Sequence, residues 1–254
     1  MVASPQLSII IPAYNEERRL PSTLARVFSY LAQRGILAEL IVVDDGSRDG
    51  TAELVRRSRT HAPAGVQLRL LNNPGNRGKG YSVRHGMLEA RGERLLFTDA
   101  DLSAPIEEVE KLEASLDAGA AVAIGSRSRQ ELIRAHQSRL RETAGRTFNK
   151  IVKLVLRLPF HDTQCGFKLF RRDAAEAIFP CQMIERWGFD PELLYLARHF
   201  RFQVEEIPVV WAHVEGAKIR MLRDSARMFV DVIEIRWNAL LGRYRRRRSR
   251  SAAA

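Results

Sequence analysis

The chain has 254 residues, of which 45% are hydrophobic and 28% charged, and its formal net charge is +11. This composition predicts a folded protein with a sizeable core and excludes wholesale disorder. Cys165 and Cys181 lack metal-ligand spacing, so we expect a reduced, cytoplasmic protein. No signal peptide is evident and the apolar runs are shorter than the roughly 20 residues that span a bilayer, so we expect any membrane contact to be peripheral.

Short apolar runs alternate with helical patterns along the first half of the chain. The runs at residues 7–11, 39–43, 67–71, 94–98 and 121–125 predict strands, and helices are predicted at 22–33, 49–59, 80–90 and 105–118. Ser103, just before Pro105, is expected to take part in capping the fourth helix. Strands separated by such helices are typical of parallel βαβ units. The predicted fold class is α/β, with an open, mostly parallel, Rossmann-like sheet flanked by helices.

The pattern changes after residue 126. Residues 126–146 are rich in arginine and predict a mobile loop with some helix, and residues 149–158 predict a basic amphipathic helix. A last helix is predicted to carry a polar stripe opposite an apolar stripe, the first formed by Arg220, Asp224, Arg227, Asp231, Glu234 and Asn238 and the second by Leu222, Ala226, Phe229, Ile233 and Leu240. The predicted organisation is a catalytic domain at residues 1–219, an amphipathic helix at 220–242 and a basic, disordered tail at 243–254.

Four acidic or glycine-rich clusters follow, or lie close to, the apolar runs. They are Pro12-Ala13-Tyr14-Asn15-Glu16-Glu17, Asp44-Asp45-Gly46-Ser47, Asn76-Arg77-Gly78-Lys79-Gly80 and Asp99-Ala100-Asp101. Loops after parallel strands meet at one edge of an open sheet, where such sheets bind ligands. The clusters therefore predict a single site.

Each cluster supports a different contact within such a site. Asp99 and Asp101 can hold a hard divalent cation against a diphosphate, although so short a pattern alone is more often a solvated turn. A carboxylate after the second strand can accept hydrogen bonds from a base or ribose, and its alternative is a helix cap. The glycines around Lys79 lack P-loop spacing but can bring backbone N–H groups and charge near a phosphate. The occurrence of all four clusters in this order favours a metal-assisted nucleotide site.

Together these clusters resemble family 2 glycosyltransferases of the GT-A fold, in the branch that glycosylates polyprenyl phosphates. Two later segments, DTQCGFKLF at residues 162–170 and ERWGFD at 185–190, resemble dolichyl-phosphate β-glucosyltransferases more than dolichyl-phosphate mannose synthases. The similarity covers roughly residues 6–220.

The resemblance implies roles for the matching residues. Asp101, Asp162 and Arg127 are the expected catalytic residues, and Asp99 and Asp101 are expected to hold Mg²⁺ or Mn²⁺. The acceptor phosphate is expected to contact Arg127 and one or more of Arg139, Arg141 and Arg146, because guanidinium groups suit phosphates. The nucleotide-sugar pocket is expected to include Pro12, Tyr14, Glu16, Val43, Asp45, Lys79, Asp99, Ala100, Gln164 and Lys218.

The resemblance also implies the reaction. A phosphate monoester is largely ionised near neutral pH and needs little help from a general base, so positioning and charge neutralisation are expected to supply most of the acceleration. The expected reaction is inverting transfer of glucose from UDP-glucose to a polyprenyl phosphate. A GDP-mannose donor and a saccharide acceptor are the alternatives.

A lipid-linked acceptor implies contact with an anionic membrane surface. The two amphipathic helices can bury apolar faces at the interface, and the six arginines of residues 243–250 can add electrostatic attraction. The alternative is packing of these helices on the domain or in a homo-oligomer, and a separate membrane partner is left open. Nucleic-acid binding is disfavoured, since only Tyr244 interrupts the arginine run. A catalytically silent scaffold is disfavoured by the intact acidic clusters.

Overall fold

The computed structural model describes residues 4–135, 139–213 and 221–245, with only the backbone described at residues 130, 135, 139–144 and 221–225. The first half alternates strands and helices in the predicted order: β1 Leu7–Ala13, α1 Leu20–Arg34, β2 Ala38–Asp44, α2 Thr51–Ser58, β3 Val66–Asn72, α3 Lys79–Glu89, β4 Arg94–Phe97, α4 Val109–Asp117 and β5 Val122–Ser126. The second half contributes β6 Ile133–Ala135, α5 Arg139–Leu156, β7 Lys168–Arg171, α6 Arg172–Ile178, α7 Phe189–His199, β8 Val204–Pro208, β9 Trp211–Ala212 and α8 Met221–Leu240.

Seven strands form one sheet in the order β3-β2-β1-β4-β7-β5-β8. Strands β3, β2, β1 and β4 pair in parallel, as do β5 and β8, whereas β7 runs antiparallel between β4 and β5. The prediction of a mostly parallel α/β sheet is confirmed. The sequence does not predict strand β7, because the strand has only four residues, two of them basic, and shows no readable apolar periodicity.

The central strands are buried on both faces of the sheet. Ile10 and Ile41 pack into a cluster with α3 and α7, while Ile9 and Val42 face a second cluster formed with α1 and α4. All four side chains are fully buried, which explains their near-continuous apolar sequence. The strands are thus held between two helical layers, and their carboxyl ends are left to carry polar loops.

Ser103 does not cap the start of α4 as predicted. Pro105 precedes a turn of 3₁₀ helix at Ile106–Glu108 that leads into α4, and no side chain caps it. Ser103 donates its hydroxyl proton to Asp101 Oδ1 at 2.9 Å instead. The prediction that Ser103 caps this helix is wrong, because its hydroxyl group donates a hydrogen bond to the Asp101 carboxylate instead.

The arginine-rich segment after β5 contains more helix than predicted. Helix α5 begins at Arg139, well before the predicted start at residue 149. Val152 and Leu156 are buried against the domain, whereas Leu154 is 80% exposed. None of the helices in the described part of the chain is both long and apolar enough to cross a membrane.

Helix α8 packs with polar as well as apolar residues toward the domain. Val232 and Ile235 join the core, and Asp231 and Asn238, two members of the predicted polar stripe, are buried beside them. The opposite side exposes a continuous set of large apolar residues, here termed the apolar face of α8: Phe229, Val230, Ile233, Trp237 and Leu240. The predicted apolar stripe therefore does not pack on the domain at Phe229, Ile233 and Leu240.

Candidate active site

The loops that follow β1 and β2 are joined by hydrogen bonds at the carboxyl edge of the sheet. Asn15, which has a φ of +52°, donates its backbone N–H to Ser47 Oγ at 2.9 Å, and its side-chain oxygen accepts the N–H of Arg48 at 2.8 Å. The backbone N–H of Glu16 donates to Thr51 Oγ1 at 2.8 Å. The first two predicted clusters therefore form one unit, as their positions after adjacent strands imply.

Asp45 organises the glycine-rich segment from its buried position after β2. Its carboxylate accepts the backbone N–H groups of Arg77 and Gly78 and the side-chain amide of Asn73, each at 2.8 Å. Gly78 has a φ of +111°, and a Cβ there would lie 2.7 Å from the carbonyl oxygen of Glu185, so only glycine fits. Asp45 thus fixes the loop around Lys79, and its contact with a nucleoside stays a prediction.

Lys79 and Asp99 bring opposite charges together at the centre of the site. The Lys79 ammonium lies 2.5 Å from Asp99 Oδ1 and 5.8 Å from the ring centroid of Trp187. Burial lowers the pKa of Lys79, but the carboxylates of Asp99 and Asp190 outweigh that effect, so the net pKa is raised and the side chain stays charged. The third and fourth predicted clusters are therefore in direct contact.

The two carboxylates after β4 have the chemistry of a divalent-cation site. Burial, reinforced by the negative charge of Asp99, raises the pKa of Asp101 above its usual range. A cation relieves such repulsion, and carboxylate oxygens are the ligands that Mg²⁺ and Mn²⁺ prefer. No cluster of three or more His, Cys, Asp or Glu side chains forms a metal site within the described residues. Asp99 and Asp101 have ligand types that suit a divalent cation, and their contact with one stays a prediction.

Arg19 is a charged residue of this region that sequence reasoning missed. It precedes α1, and its Nε and Nη2 donate to the Glu16 carboxylate at 2.7 and 2.6 Å. The hydrogen bonds to Glu16 raise the pKa of Arg19, and the charges of Asp101 and Asp99 raise it further. Arg19 therefore lies within the electrostatic reach of the acidic pair. Its only sequence signal is its position three residues after Glu16.

Arg127 and Asp162 form a bidentate ion pair between the end of β5 and the loop after α5. Arg127 Nε and Nη2 donate to the carboxylate at 2.7 and 2.9 Å, and the Arg127 backbone N–H donates at 3.0 Å. The Arg127 guanidinium also lies over the ring of Trp211, 5.5 Å from its centroid. Burial disfavours the charged form of both side chains, but the attraction between the two charges outweighs that effect. The pKa of Asp162 is therefore well below its usual range, and the pKa of Arg127 is raised. The structure thus brings together two of the predicted catalytic residues.

A small pocket lies beside the acidic loop. Its lining includes Asp99, Ser103, Cys165 and Trp211. Gly166 lies so close to the Asp99 carboxylate that a Cβ would clash with it. Burial raises the pKa of Cys165 to about 12, so its thiol is protonated and unsuited to nucleophilic attack near neutral pH.

The remaining predicted donor-side residues are distributed around the same edge. Pro12 and Val43 lie near the ends of β1 and β2, with Tyr14 and Glu16 in the loop after β1 and Gln164 two residues beyond Asp162. The carbonyl oxygen of Ala100 accepts the Thr23 hydroxyl proton at 2.6 Å. Their ligand contacts stay predictions.

The predicted basic residues outside this edge are only partly described. Arg146 is exposed on α5, and Arg139 and Arg141 lie on the same helix without described side chains. Lys218 lies outside the described residues. Arg127, directly after β5, is the predicted phosphate-binding arginine that pairs with Asp162.

Comparison with known sequences identifies the family of this chain. The sequence model described as glycosyl transferase family 2 matches residues 8–179. The chain belongs to glycosyltransferase family 2. It is therefore a glycosyltransferase enzyme, and the family predicted from the four clusters is confirmed.

Named relatives of this family 2 glycosyltransferase share most of its length. It is 37% identical to the dolichyl-phosphate β-glucosyltransferase of Homo sapiens over 257 residues, covering 96% of this chain and 79% of that protein. It is 39% identical to the enzyme of the same name from Saccharomyces cerevisiae over 255 residues, covering 94% and 76%. The predicted similarity to this branch of the family is confirmed.

Solved structures show that the fold is shared beyond these relatives. Glucosyl-3-phosphoglycerate synthase from Mycobacterium tuberculosis in complex with UDP superposes with a TM-score of 0.69 at 19% identity, covering 92% of this chain and 80% of that one. A complex of the same synthase with Mn²⁺, UDP-glucose and phosphoglyceric acid gives a TM-score of 0.66 at 20% identity, covering 94% and 79%. At this identity, the comparison supports the fold alone.

Proposed function

We propose that this family 2 glycosyltransferase transfers glucose from UDP-glucose to a dolichyl-type polyprenyl phosphate, with inversion at the anomeric carbon. The observation that supports this most is the identity of 37–39% to dolichyl-phosphate β-glucosyltransferases over 94–96% of the chain. The reaction would take place at the cytoplasmic face of a membrane.

The donor side of the site suits a nucleoside diphosphate. Asp99 and Asp101 would hold Mg²⁺ or Mn²⁺, which when bound neutralises negative charge on the departing diphosphate. Lys79 adds a fixed positive charge beside Asp99, and Arg19 adds another near the acidic pair. Asp45 keeps the loop that carries Lys79 in place through its contacts with two backbone N–H groups. These residues bind and orient the leaving group rather than transfer protons.

The acceptor side suits a group that is already ionised. Because Arg127 holds the pKa of Asp162 well below its usual range, this carboxylate is a poor proton acceptor near neutral pH. A saccharide hydroxyl would need a base, whereas a phosphate monoester is largely ionised there. The ion pair instead offers a rigidly oriented guanidinium, which is suited to positioning an anion. This favours a phosphate acceptor over a saccharide.

The apolar face of α8 suits the surface of an anionic bilayer. Trp237 is 59% exposed within this face, and the arginine-rich segment follows directly after the helix. Apolar side chains with adjacent cations are typical of helices that lie in the bilayer interface. Gly188 packs so closely on Asp231 that a Cβ there would lie 2.5 Å from the Asp231 Cβ, which places α8 next to the loop that carries Trp187. A membrane in contact with this face would thus present a lipid-bound acceptor close to the donor site.

A direct assay tests the proposed reaction. Purified protein is incubated with radiolabelled UDP-glucose or GDP-mannose and a polyprenyl phosphate in liposomes, with and without Mn²⁺. We expect metal-dependent formation of a glucosyl lipid, with a β-linkage by NMR. Mannose transfer would correct the donor, and nucleotide binding without any lipid product would contradict the acceptor.

Removal of the apolar face should weaken membrane binding. We expect Ile233→Ser/Trp237→Ser to reduce co-sedimentation with vesicles of phosphatidylcholine and phosphatidylserine at least about tenfold, because burial of these two side chains in the interface contributes several kcal/mol. Transfer to a short, water-soluble isoprenyl phosphate should be unchanged.

The matched control for this variant is Leu37→Ser/Leu88→Ser, which removes two exposed leucines elsewhere on the domain. It should bind vesicles like the wild type. If the α8 variant binds vesicles normally but dissociates an oligomer in light scattering, the face is an interface between copies of the chain and not a membrane surface.

A further inference from the structure

Tyr244 interrupts the arginine run and is buried in the domain. Its side chain is only 3% exposed although arginines flank it on both sides. The hydroxyl donates to Glu192 Oε1 on α7 at 2.7 Å, and the ring lies 6.0 Å from that of Tyr195. A tyrosine in this position is a specific attachment point rather than one more member of a solvated tail.

The backbone around Tyr244 is held as well. The carbonyl oxygen of Tyr244 lies 3.2 Å from His199 Nε2, a hydrogen bond when that nitrogen carries the proton, and the carbonyl oxygen of Arg245 accepts from Cys181 Sγ at 3.2 Å. Arg243 donates from Nη1 to Asn238 Oδ1 at 2.9 Å at the end of α8. Residues 243–245, the start of the predicted disordered tail, are thus fixed to α7 and α8.

Glu192 connects this attachment point to a second loop. It is fully buried, and besides the Tyr244 hydroxyl it accepts the backbone N–H groups of Met183 and Ile184 at 3.0 and 2.9 Å. Burial raises the pKa of Glu192 to about 7, against the opposing effect of these three donors. Removal of the tyrosine donor leaves this buried carboxylate with fewer partners, so the loop at residues 182–188 loses support at its base.

The loop at residues 182–188 is bound to the glycine-rich segment of the donor site by hydrogen bonds and an ion pair. The backbone N–H groups of Gly80 and Tyr81 donate to the carbonyl oxygens of Arg186 and Glu185 at 3.2 and 2.8 Å. Arg77 forms an ion pair with Glu185 at 2.7 Å, and the side-chain amide of Gln182 donates to the carbonyl oxygen of Gly80 at 2.9 Å. The position of Lys79 is therefore set from two sides, by Asp45 and by this loop.

We propose that Tyr244 is a positioning residue for the donor site, acting through Glu192 and the loop at residues 182–188 on the segment that carries Lys79. The inference rests on the proposed binding of a nucleotide sugar there. The proposal gives Tyr244, within the arginine-rich segment, a role in donor binding, in addition to the membrane attraction proposed for the arginines.

The test is Tyr244→Phe, which removes the donor to Glu192 and keeps the ring. We expect the Kd for UDP in the presence of Mn²⁺, measured by calorimetry, to rise about fivefold, in the usual range of coupling between sites. The KM for UDP-glucose should rise in parallel while kcat changes little. Amide hydrogen exchange should become faster at residues 75–81 and 182–188.

Tyr30→Phe is the matched control, because Tyr30 is another buried tyrosine whose hydroxyl contacts a charged partner, Arg34, at 2.7 Å on α1. It should leave the Kd for UDP and exchange in both segments unchanged. Equal effects of the two variants, or unchanged exchange in Tyr244→Phe, would overturn the proposal. If the wild type binds GDP rather than UDP, the proposed donor is wrong, and the Kd values of the two variants are compared for GDP instead. The amide hydrogen exchange tests the role of Tyr244 whichever nucleotide binds.

Discussion

Asp101→Asn is expected to abolish metal-dependent transfer while leaving the fold intact. The substitution keeps the size of the side chain but removes a charge that would hold the cation, so we expect kcat/KM to fall at least about 1,000-fold, or roughly 4 kcal/mol of barrier. Binding of Mn²⁺ in the presence of UDP, followed by electron paramagnetic resonance, should be lost in parallel.

The stability of the same variant distinguishes a site residue from a structural one. The pKa of Asp101 is raised in the folded protein, so its ionisation costs stability once the pH exceeds the usual aspartate value of about 4. Without metal at pH 7.5, Asp101→Asn should therefore be at least as stable to urea as the wild type. Asp117→Asn, at the exposed end of α4, is the control for both measurements. Transfer within tenfold of wild type would show that Asp101 does not hold the metal.

Asp162→Ala is expected to destabilise the protein by about 3 kcal/mol, because it leaves the Arg127 guanidinium largely buried without its counter-charge. Arg127→Ala removes the other partner, and the double variant removes both. Since the second substitution removes a charge that the first has left unpaired, the double variant should be less destabilised than the sum of the single variants. A double-mutant cycle from urea unfolding should give a coupling free energy of about 2 kcal/mol.

The Arg26–Glu107 pair is the control for this cycle. It also joins two separate elements, with Nη2 and Oε2 3.0 Å apart, but both side chains are half exposed. Solvent screening should hold its coupling free energy below about 1 kcal/mol. Additive effects at Arg127 and Asp162, within about 0.3 kcal/mol, would mean that the buried pair is no more coupled than an exposed one.

The half of the site that follows parallel strands could be predicted from the sequence. Asp45, Asp99 and Lys79 each come directly after or soon after a readable apolar run, and parallel strands bring such positions to one edge. Asp99 and Asp101 favour a divalent-cation site only together with the other three clusters, since so short a pattern alone is more often a solvated turn. The placement of these residues at one edge depends only on local pattern and on parallel strand order, and it agrees with the structure. The cation at Asp99 and Asp101 stays a prediction.

The contacts that cross between distant segments could not be predicted. The pairing of Arg127 with Asp162 spans 35 positions, and that of Tyr244 with Glu192 spans 52, without a periodic signal in either case. The orientation of α8 is a similar case, because its buried Asp231 lies against Gly188 and its buried Asn238 accepts a hydrogen bond from Arg243. Sequence periodicity defines the two sides of a helix but does not say which side meets a surface that is assembled from other segments.

The position of β7 between β4 and β5 has a consequence for synthesis of the chain. Strands β1 to β4 can pair as soon as they emerge, but β4 and β5 gain no common neighbour until Lys168–Arg171 has been made. Until then one edge of β4 and both edges of β5 are unpaired, and such edges favour association with other chains. The part of the sheet formed by β1 to β4 can therefore assemble on the ribosome before the part that contains β5, β7 and β8. Fragments that end before residue 168 should remain aggregation-prone however well their first four strands are formed.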